Sequence, residues 1–182
     1  MRTARLVAQA PTLVVTSRFC RTKQTAAPLL RKYPQTASEE WPIEEFTYLD
    51  ANRCADMTYE ERKPLVAQYW RTGDPQYRDG SNCESFASFI KRLQLVITMI
   101  RARDPDTLVM FTHGHVMKAV IWLQSQSFDE PRAQEMNSFD QFRRRLTLPN
   151  ASVLRASNDL TRGFFVEPAA SSEHLLPWML TS

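Results

Sequence analysis

Hydrophobic and polar positions along the chain follow two rhythms. Residues 12–16 (TLVVT) are a short β-branched run after a proline, which predicts a buried strand. Residues 19–32 carry apolar positions at helical spacing and end in a basic last turn before Pro34. Thr58 opens a T-Y-E-E capping box with Glu61, so a helix is expected to about Trp70. The segment 71–82 (RTGDPQYRDGSN) has the Gly, Pro, Asp and Asn content of a loop. From Cys83 to Arg103 the residues Phe86, Phe89, Ile90, Leu93, Val96, Ile97 and Ile100 form the longest helical stripe.

Residues 107–112 (TLVMFT) are an uninterrupted apolar run of the kind found in a central parallel strand. A sharp turn at Gly114 leads into a helix through 116–124, and a more polar helix is expected over 131–146. Residues 151–156 and 162–167 read as the two strands of a terminal hairpin. Residues 2–10 resemble the tail of a helix, and the mixed turn and polar signals from Pro34 to about Met57 predict an irregular excursion. Strand, helix, insertion, long helix, strand and helix in this order give an α/β fold with at least one right-handed crossover. Ligands in such folds bind outside the carboxyl ends of the strands. Two segments leave strands at that rim, TSRFCR after the first and THGH after the second.

Composition narrows the class. The 182 residues suit a single domain, and 43% hydrophobic with 24% charged residues is ordinary for a globular protein. A net charge of +3 allows an anionic ligand without calling for nucleic acid. No window approaches the ~18 uninterrupted apolar residues of a membrane span. Three scattered cysteines (Cys20, Cys54, Cys83) without a CxxC are read as free thiols of a reducing compartment, so a cytoplasmic location is expected. No acidic residue precedes Glu39, while Arg2, Arg5, Arg18, Arg21, Lys23, Arg31 and Lys32 are basic. That stretch reads either as folded structure or as a transit peptide ahead of a smaller domain.

Thr112-His113-Gly114-His115 follows a strand and opens a helix. A histidine there either caps the helix or meets a phosphate that also accepts bonds from the free N–H groups of the first turn. The HxH pair has no acidic or cysteine partner at matching spacing, so no metal is expected. Ser17-Arg18-Phe19-Cys20-Arg21 also leaves a strand for a helix. Arg21 lies one turn in, where its planar fork can bind phosphate oxygens in pairs. The run 142–146 (FRRRL) reads as a solvated helix face or as an anion patch. Trp41, Trp70, Trp122 and Trp178 read as core or interface residues.

These residues carry a resemblance to the histidine phosphatases, the phosphoglycerate-mutase-like superfamily. Ser17, Arg21 and Gln24-Thr25-Ala26 are similar to that family's strand, serine, arginine four residues on and Gln-Thr-Ala tag. VMFTHGHVMKAV (109–120) resembles the strand ending in a His-Gly pair, and RDGSNCESFASF (78–89), with Asp79, Gly80, Glu84 and Ser85, its G-E-S-like helix start. WPIEEFTYLD (41–50) is similar to the stretch that supplies the acidic pocket residue; Glu45 is the first choice and Glu44 the second.

The resemblance implies one three-layer α/β domain over 1–182, a mostly parallel sheet flanked by helices, with residues 34–82 as an insertion capping the pocket and setting substrate choice. Tyr48, Tyr59 and Tyr69 lie in that insertion. It implies phosphoryl transfer to an active-site histidine and on to water or another acceptor, with no metal or other cofactor. Arg21 neutralises phosphate oxygens in that scheme, and His113 stabilises their developing charge. Glu45 protonates the leaving oxygen. Ser17 and Gly114 complete the substrate-binding set, and the implied ligand is a phosphorylated small molecule.

One part of the family pattern is missing. Its nucleophile lies in an Arg-His-Gly triplet at the end of the first strand, and this sequence contains no such triplet. Its histidines are His113, His115 and His174; His115 is read as pointing into another turn of the helix, and His174 as a packing or capping residue of the tail. A chain without that first strand is expected to expose unpaired backbone groups at about 1–3 kcal/mol each and to self-associate as a homo-oligomer to cover the gap. A truncated reading frame, or a start placed too late, is the expected origin. Two functions follow: a phosphomonoester hydrolase whose present chain lacks its nucleophile, or a non-catalytic module that binds a phosphorylated ligand at Arg21 and His113.

Overall fold

The computed structural model describes residues 7–103, 105–159 and 163–166. Three parallel strands form the central sheet in the order β2-β1-β3: β1 (Leu13–Thr16), β2 (Ala37–Glu40) and β3 (Leu108–Phe111). The register sets Leu13 opposite both Ala37 and Leu108, and Thr16 opposite Glu40 and Phe111. All four residues of β1 are buried, because helices cover both faces of the strand. Leu13 and Val15 pack with Trp41, Ile43 and with Val96 and Ile100 of α4 (Phe86–Arg103). Val14 points the other way, onto Ala26 and Leu29 of α1 (Cys20–Lys32). The period of two along β1 thus divides the molecule into the expected three layers.

β2 corrects the irregular reading of residues 34–57. Its sequence, Ala-Ser-Glu-Glu, has no hydrophobic period, since its side chains are mostly exposed and only its backbone bonds to β1. Trp41, Ile43 and Phe46, directly after it, are buried in the core. The stretch expected as an insertion therefore begins inside the sheet. Beyond it lie a single turn, α2 (Ala51–Cys54), capped by Asp50, and α3 (Tyr59–Arg71), which starts with the expected capping box between Thr58 and Glu61. Gly80 abuts Asp50 so closely that a side chain there would run into the cap.

After β3 come α5 (Gly114–Leu123) and α6 (Ala133–Arg145), packed on each other and, through α6, on α3. Their buried residues Val116, Trp122, Met136 and Phe139 join Phe46, Trp70, Phe86 and Phe89 in the largest core cluster. The terminal ribbon pairs β4 (Ala156–Asp159) with β5 (Gly163–Val166) antiparallel. Its first strand lies five residues later than the 151–156 run predicted, because Ser157 and Asn158, turn formers by type, pair with Phe165 and Phe164. The Gln124 amide fastens β5 to the end of α5 through both backbone groups of Val166. Residues 7–10 are not helical, and the rest of the expected N-terminal helix tail lies outside the described residues, as do His174 and Trp178. No helix among the described residues is long and apolar enough to cross a membrane.

Candidate active site

The carboxyl ends of β1 and β3 bring Ser17 and His113 side by side. Ser17 is fully buried and His113 is 7% exposed. Ser17 Oγ lies 2.9 Å from His113 Nε2 and 3.0 Å from the hydroxyl of Thr22, which donates to the Phe19 carbonyl at 2.8 Å. Arg21, one turn into α1, reaches back to the same ring: its Nε donates to His113 Nδ1 at 3.2 Å. The guanidinium also lies 4.5 Å from the centre of the Phe19 ring, whose edge packs on His113 with ring centroids 5.4 Å apart. Helix α1 starts without a side-chain cap, and Arg21 is the exposed member of the cluster.

Glu45 stands at the start of α5. Its Oε1 accepts from the backbone N–H of Phe46 at 3.0 Å and of His115 at 3.1 Å, with His115 Nδ1 3.4 Å away. The first turn of α5 therefore gives one of its free N–H groups to a carboxylate of the chain itself, where a phosphate or a capping histidine had been expected; the His113 side chain makes no cap bond. Oε2 is the less encumbered oxygen and faces Gly114, where a Cβ would stand at an ordinary 3.9 Å. Two ties fix this loop against the sheet and α4. The Thr112 hydroxyl donates to Ile43 O at 2.8 Å. Arg92 grips Glu84 with two hydrogen bonds of 2.8 and 2.7 Å and donates to Pro42 O and Glu44 O.

The electrostatics follow from that packing. Burial, then the Arg21 charge, push the His113 pKa down, and this outweighs the pull of Glu45 and Glu44 in the other direction. For Glu45 burial acts upward. The hydrogen bond and charge of His115, the Phe46 N–H and His113 together outweigh it, so the carboxyl is held below its ordinary value. These surroundings thus favour a neutral His113 beside an ionised Glu45.

Arg21, Ser17, His113, Gly114 and Glu45, all expected from the sequence, converge on one rim. Glu44, the second choice for the acid, turns away to pair with Arg18 and Arg92. His115 is a partner of Glu45, where the sequence had it facing elsewhere. Its place two residues after His113 was the available clue, but only the fold brings residue 45 to it. Thr22 was legible only as the residue after Arg21. Arg92 gave no signal, because its role depends on α4 crossing behind residues 42–44.

The family model of the histidine phosphatase superfamily (branch 1) matches residues 2–137. A search of curated protein sequences gives no significant match. Among solved structures, the chain is similar to the alpha-ribazole phosphatase from Shigella flexneri, at a TM-score of 0.62 and 15% identity over 91% of this chain and 77% of that one. It is also similar to a mycobacterial glucosyl-3-phosphoglycerate phosphatase, at a TM-score of 0.61 and 17% identity over 91% of this chain and 78% of that one. At such identities the two structures speak for the fold, and the family match covers most of the chain. The chain belongs to the histidine phosphatase superfamily, branch 1.

Proposed function

We propose that the Arg21–His113–Glu45 rim is a phosphomonoester site, and that the 182-residue chain binds the ester without turning it over. The observation that carries the reading is the meeting of the Arg21 guanidinium with His113 Nδ1 at 3.2 Å, with Glu45 on the adjoining helix start. A phosphomonoester brings about −1.5 to −2 charges, which Arg21 and a protonated His113 offset. Glu45 Oε2, once protonated, donates a hydrogen bond to the bridging ester oxygen of the bound ligand. The approach of the dianion acts on the Glu45 pKa upward, by like-charge repulsion. The family's covalent acceptor is what the sequence lacks. The sequence holds no Arg-His-Gly triplet, and both ring nitrogens of His113 are engaged, by Ser17 and Arg21. The bound ligand is a phosphorylated small molecule, as the alpha-ribazole and glucosyl-3-phosphoglycerate phosphatases suggest by their names.

The test is titration of the purified chain with inorganic phosphate, alongside an assay on an aryl phosphate. The expected results are saturable binding, weakened at least tenfold in Arg21→Ala, and no turnover above background. Failure of the wild type to bind phosphate, or equal binding by Arg21→Ala, overturns the reading. Turnover that survives His113→Ala rejects the assignment of the site.

A further inference from the structure

Phe19 stands where its residue type is not expected. It is the N-cap of α1, a position that favours Ser, Thr, Asp or Asn because their side chains accept from the free N–H groups of the first turn. Phe19 offers no such bond, and no acidic residue follows it in that turn. Its backbone is nonetheless closely held. The N–H donates to Ser17 Oγ at 3.3 Å, and the carbonyl accepts from the Thr22 N–H at 3.1 Å and the Thr22 hydroxyl at 2.8 Å. Ser17 and Thr22 are both buried, and Ser17 also meets His113 Nε2. The hydroxyls that fix the histidine therefore fix the aromatic residue as well.

The half-buried ring carries three groups of the rim. The Arg21 guanidinium carbon lies 4.5 Å from its centre and that of Arg18 5.6 Å. The His113 ring packs on it at 81°, with centroids 5.4 Å apart. The two arginines are otherwise held in different ways. Arg18 pairs with the Glu44 carboxylate at 3.2 Å. Arg21 forms no ion pair among the described residues; its guanidinium meets the Phe19 ring and gives only Nε to His113 Nδ1.

That difference matters to an anion. A carboxylate partner would neutralise the guanidinium and occupy its N–H groups, so a phosphate would have to displace it. An aromatic face attracts the cation through the ring quadrupole and uses none of those donors. It also restricts a long, exposed side chain that would otherwise lose rotamer freedom when the anion binds. An Asp or Asn at residue 19 would cap α1 better, but it would set an acceptor beside Arg21 in place of the ring. The capping preference is thus broken where a cation has to be held without an anion.

Resting on the phosphate-site reading above, we propose that Phe19 is a positioning residue of that site. Its ring holds the Arg21 guanidinium at the rim, charged and with its terminal N–H groups free, so that phosphate meets a preformed arginine.

The experiment pairs NMR of the full chain without added anion with titration by inorganic phosphate. Ring current from Phe19 is expected to move the Arg21 side-chain proton signals, assigned by their loss in Arg21→Ala, upfield in the wild type and in Phe19→Tyr. In Phe19→Leu, which keeps apolar bulk without a π face, they return to ordinary arginine positions. Phosphate affinity is expected to fall about three- to fivefold in Phe19→Leu, the size of a cation–π contact at an exposed site. Phe19→Tyr stays within about twofold of the wild type, and Phe19→Leu on top of Arg21→Ala adds no further loss. Phe19→Met, also without a π face, replaces Phe19→Leu if that variant does not fold. Three results overturn the role of Phe19 and leave the phosphate site standing: ordinary Arg21 signals in the wild type, equal affinity of Phe19→Leu and wild type, or a loss that recurs undiminished on Arg21→Ala. Upfield Arg21 signals in a wild type that binds no phosphate overturn the site reading, and with it the purpose assigned to the ring.

Discussion

Binding of a tetrahedral oxyanion at Arg21 and His113 is expected to draw a proton onto His113. Donor counting fixes the tautomer of His113 in this arrangement. Arg21 Nε carries a hydrogen and no lone pair, so at 3.2 Å His113 Nδ1 is the acceptor. A neutral imidazole has one N–H, which therefore sits on Nε2 and donates to Ser17 Oγ at 2.9 Å. Ser17 passes its own hydrogen to Thr22 Oγ1 at 3.0 Å, and Thr22 ends the chain on the Phe19 carbonyl at 2.8 Å. An oxyanion supplies acceptors only. It can replace Nδ1 as the partner of Arg21, but it then faces the Nδ1 lone pair. Protonating Nδ1 turns that repulsion into a charge-assisted hydrogen bond.

One nitrogen is available, so the uptake approaches but does not exceed one proton per anion at His113. A unit anion about 4 Å from the imidazolium gains roughly 4 kcal/mol at an effective dielectric constant of about 20. That is enough to oppose the burial and the Arg21 charge that hold the His113 pKa down. Because the free ring is neutral at neutral pH and the bound ring charged, affinity falls up to tenfold per pH unit above neutrality. The assay is calorimetric titration with sulfate at about pH 7.5 in buffers of different ionisation enthalpy. Sulfate stays dianionic there and contributes no proton of its own, and 7.5 lies above the ordinary histidine pKa of about 6.5. Ser17→Ala frees the neutral ring to carry its hydrogen on Nδ1, so uptake falls toward zero while binding persists. Sulfate binding by the wild type with no proton uptake refutes the tautomer, and with it the picture of a ring that charges when the anion arrives.

Two further outcomes follow from polar networks that hold the scaffold. Arg92→Met strands the carboxylates of Glu84 and Glu44 and the carbonyls of Pro42 and Glu44. A broken, largely buried pair costs about 3–5 kcal/mol, and at about 2–4 °C per kcal/mol for a chain of this size Tm should fall by roughly 6 °C or more; an unchanged Tm in a thermal melt would show the network to be idle. For Glu135 burial acts to raise the pKa, but hydrogen bonds from Gln134, the Arg132 N–H and the Arg132 guanidinium hold it at about 2, below 4.5. A carboxyl lowered on folding stabilises above its unfolded pKa and loses that contribution as pH falls through the folded value. Glu135→Gln is therefore expected to flatten the dependence of Tm on pH between about 4.5 and 2, and parallel wild-type and variant curves there would contradict it.

What the sequence reveals and hides here follows from which residues report their own environment. Val14 and Val15 announce a strand because both faces of β1 are covered, and the Thr58–Glu61 capping box announces a helix because both partners lie within one turn. Arg21 and His113 are legible for a related reason: each follows the carboxyl end of a strand, and parallel strands carry their carboxyl ends to the same rim. β2 is hidden because it joins the sheet through backbone alone, with Ser38, Glu39 and Glu40 turned mostly to solvent. His115 is hidden for a different reason. Its meaning lies in Glu45, seventy residues earlier, and no spacing rule connects an α5 residue to a loop that arrives from β2. Arg143 is the sharpest case, since three adjacent arginines read as a solvated face until Trp70 and Asp140 turn one of them inward. The residues proposed here to hold phosphate are thus readable because strand ends impose their place, whereas the inward turn of Arg143 depends on α6 packing against α3.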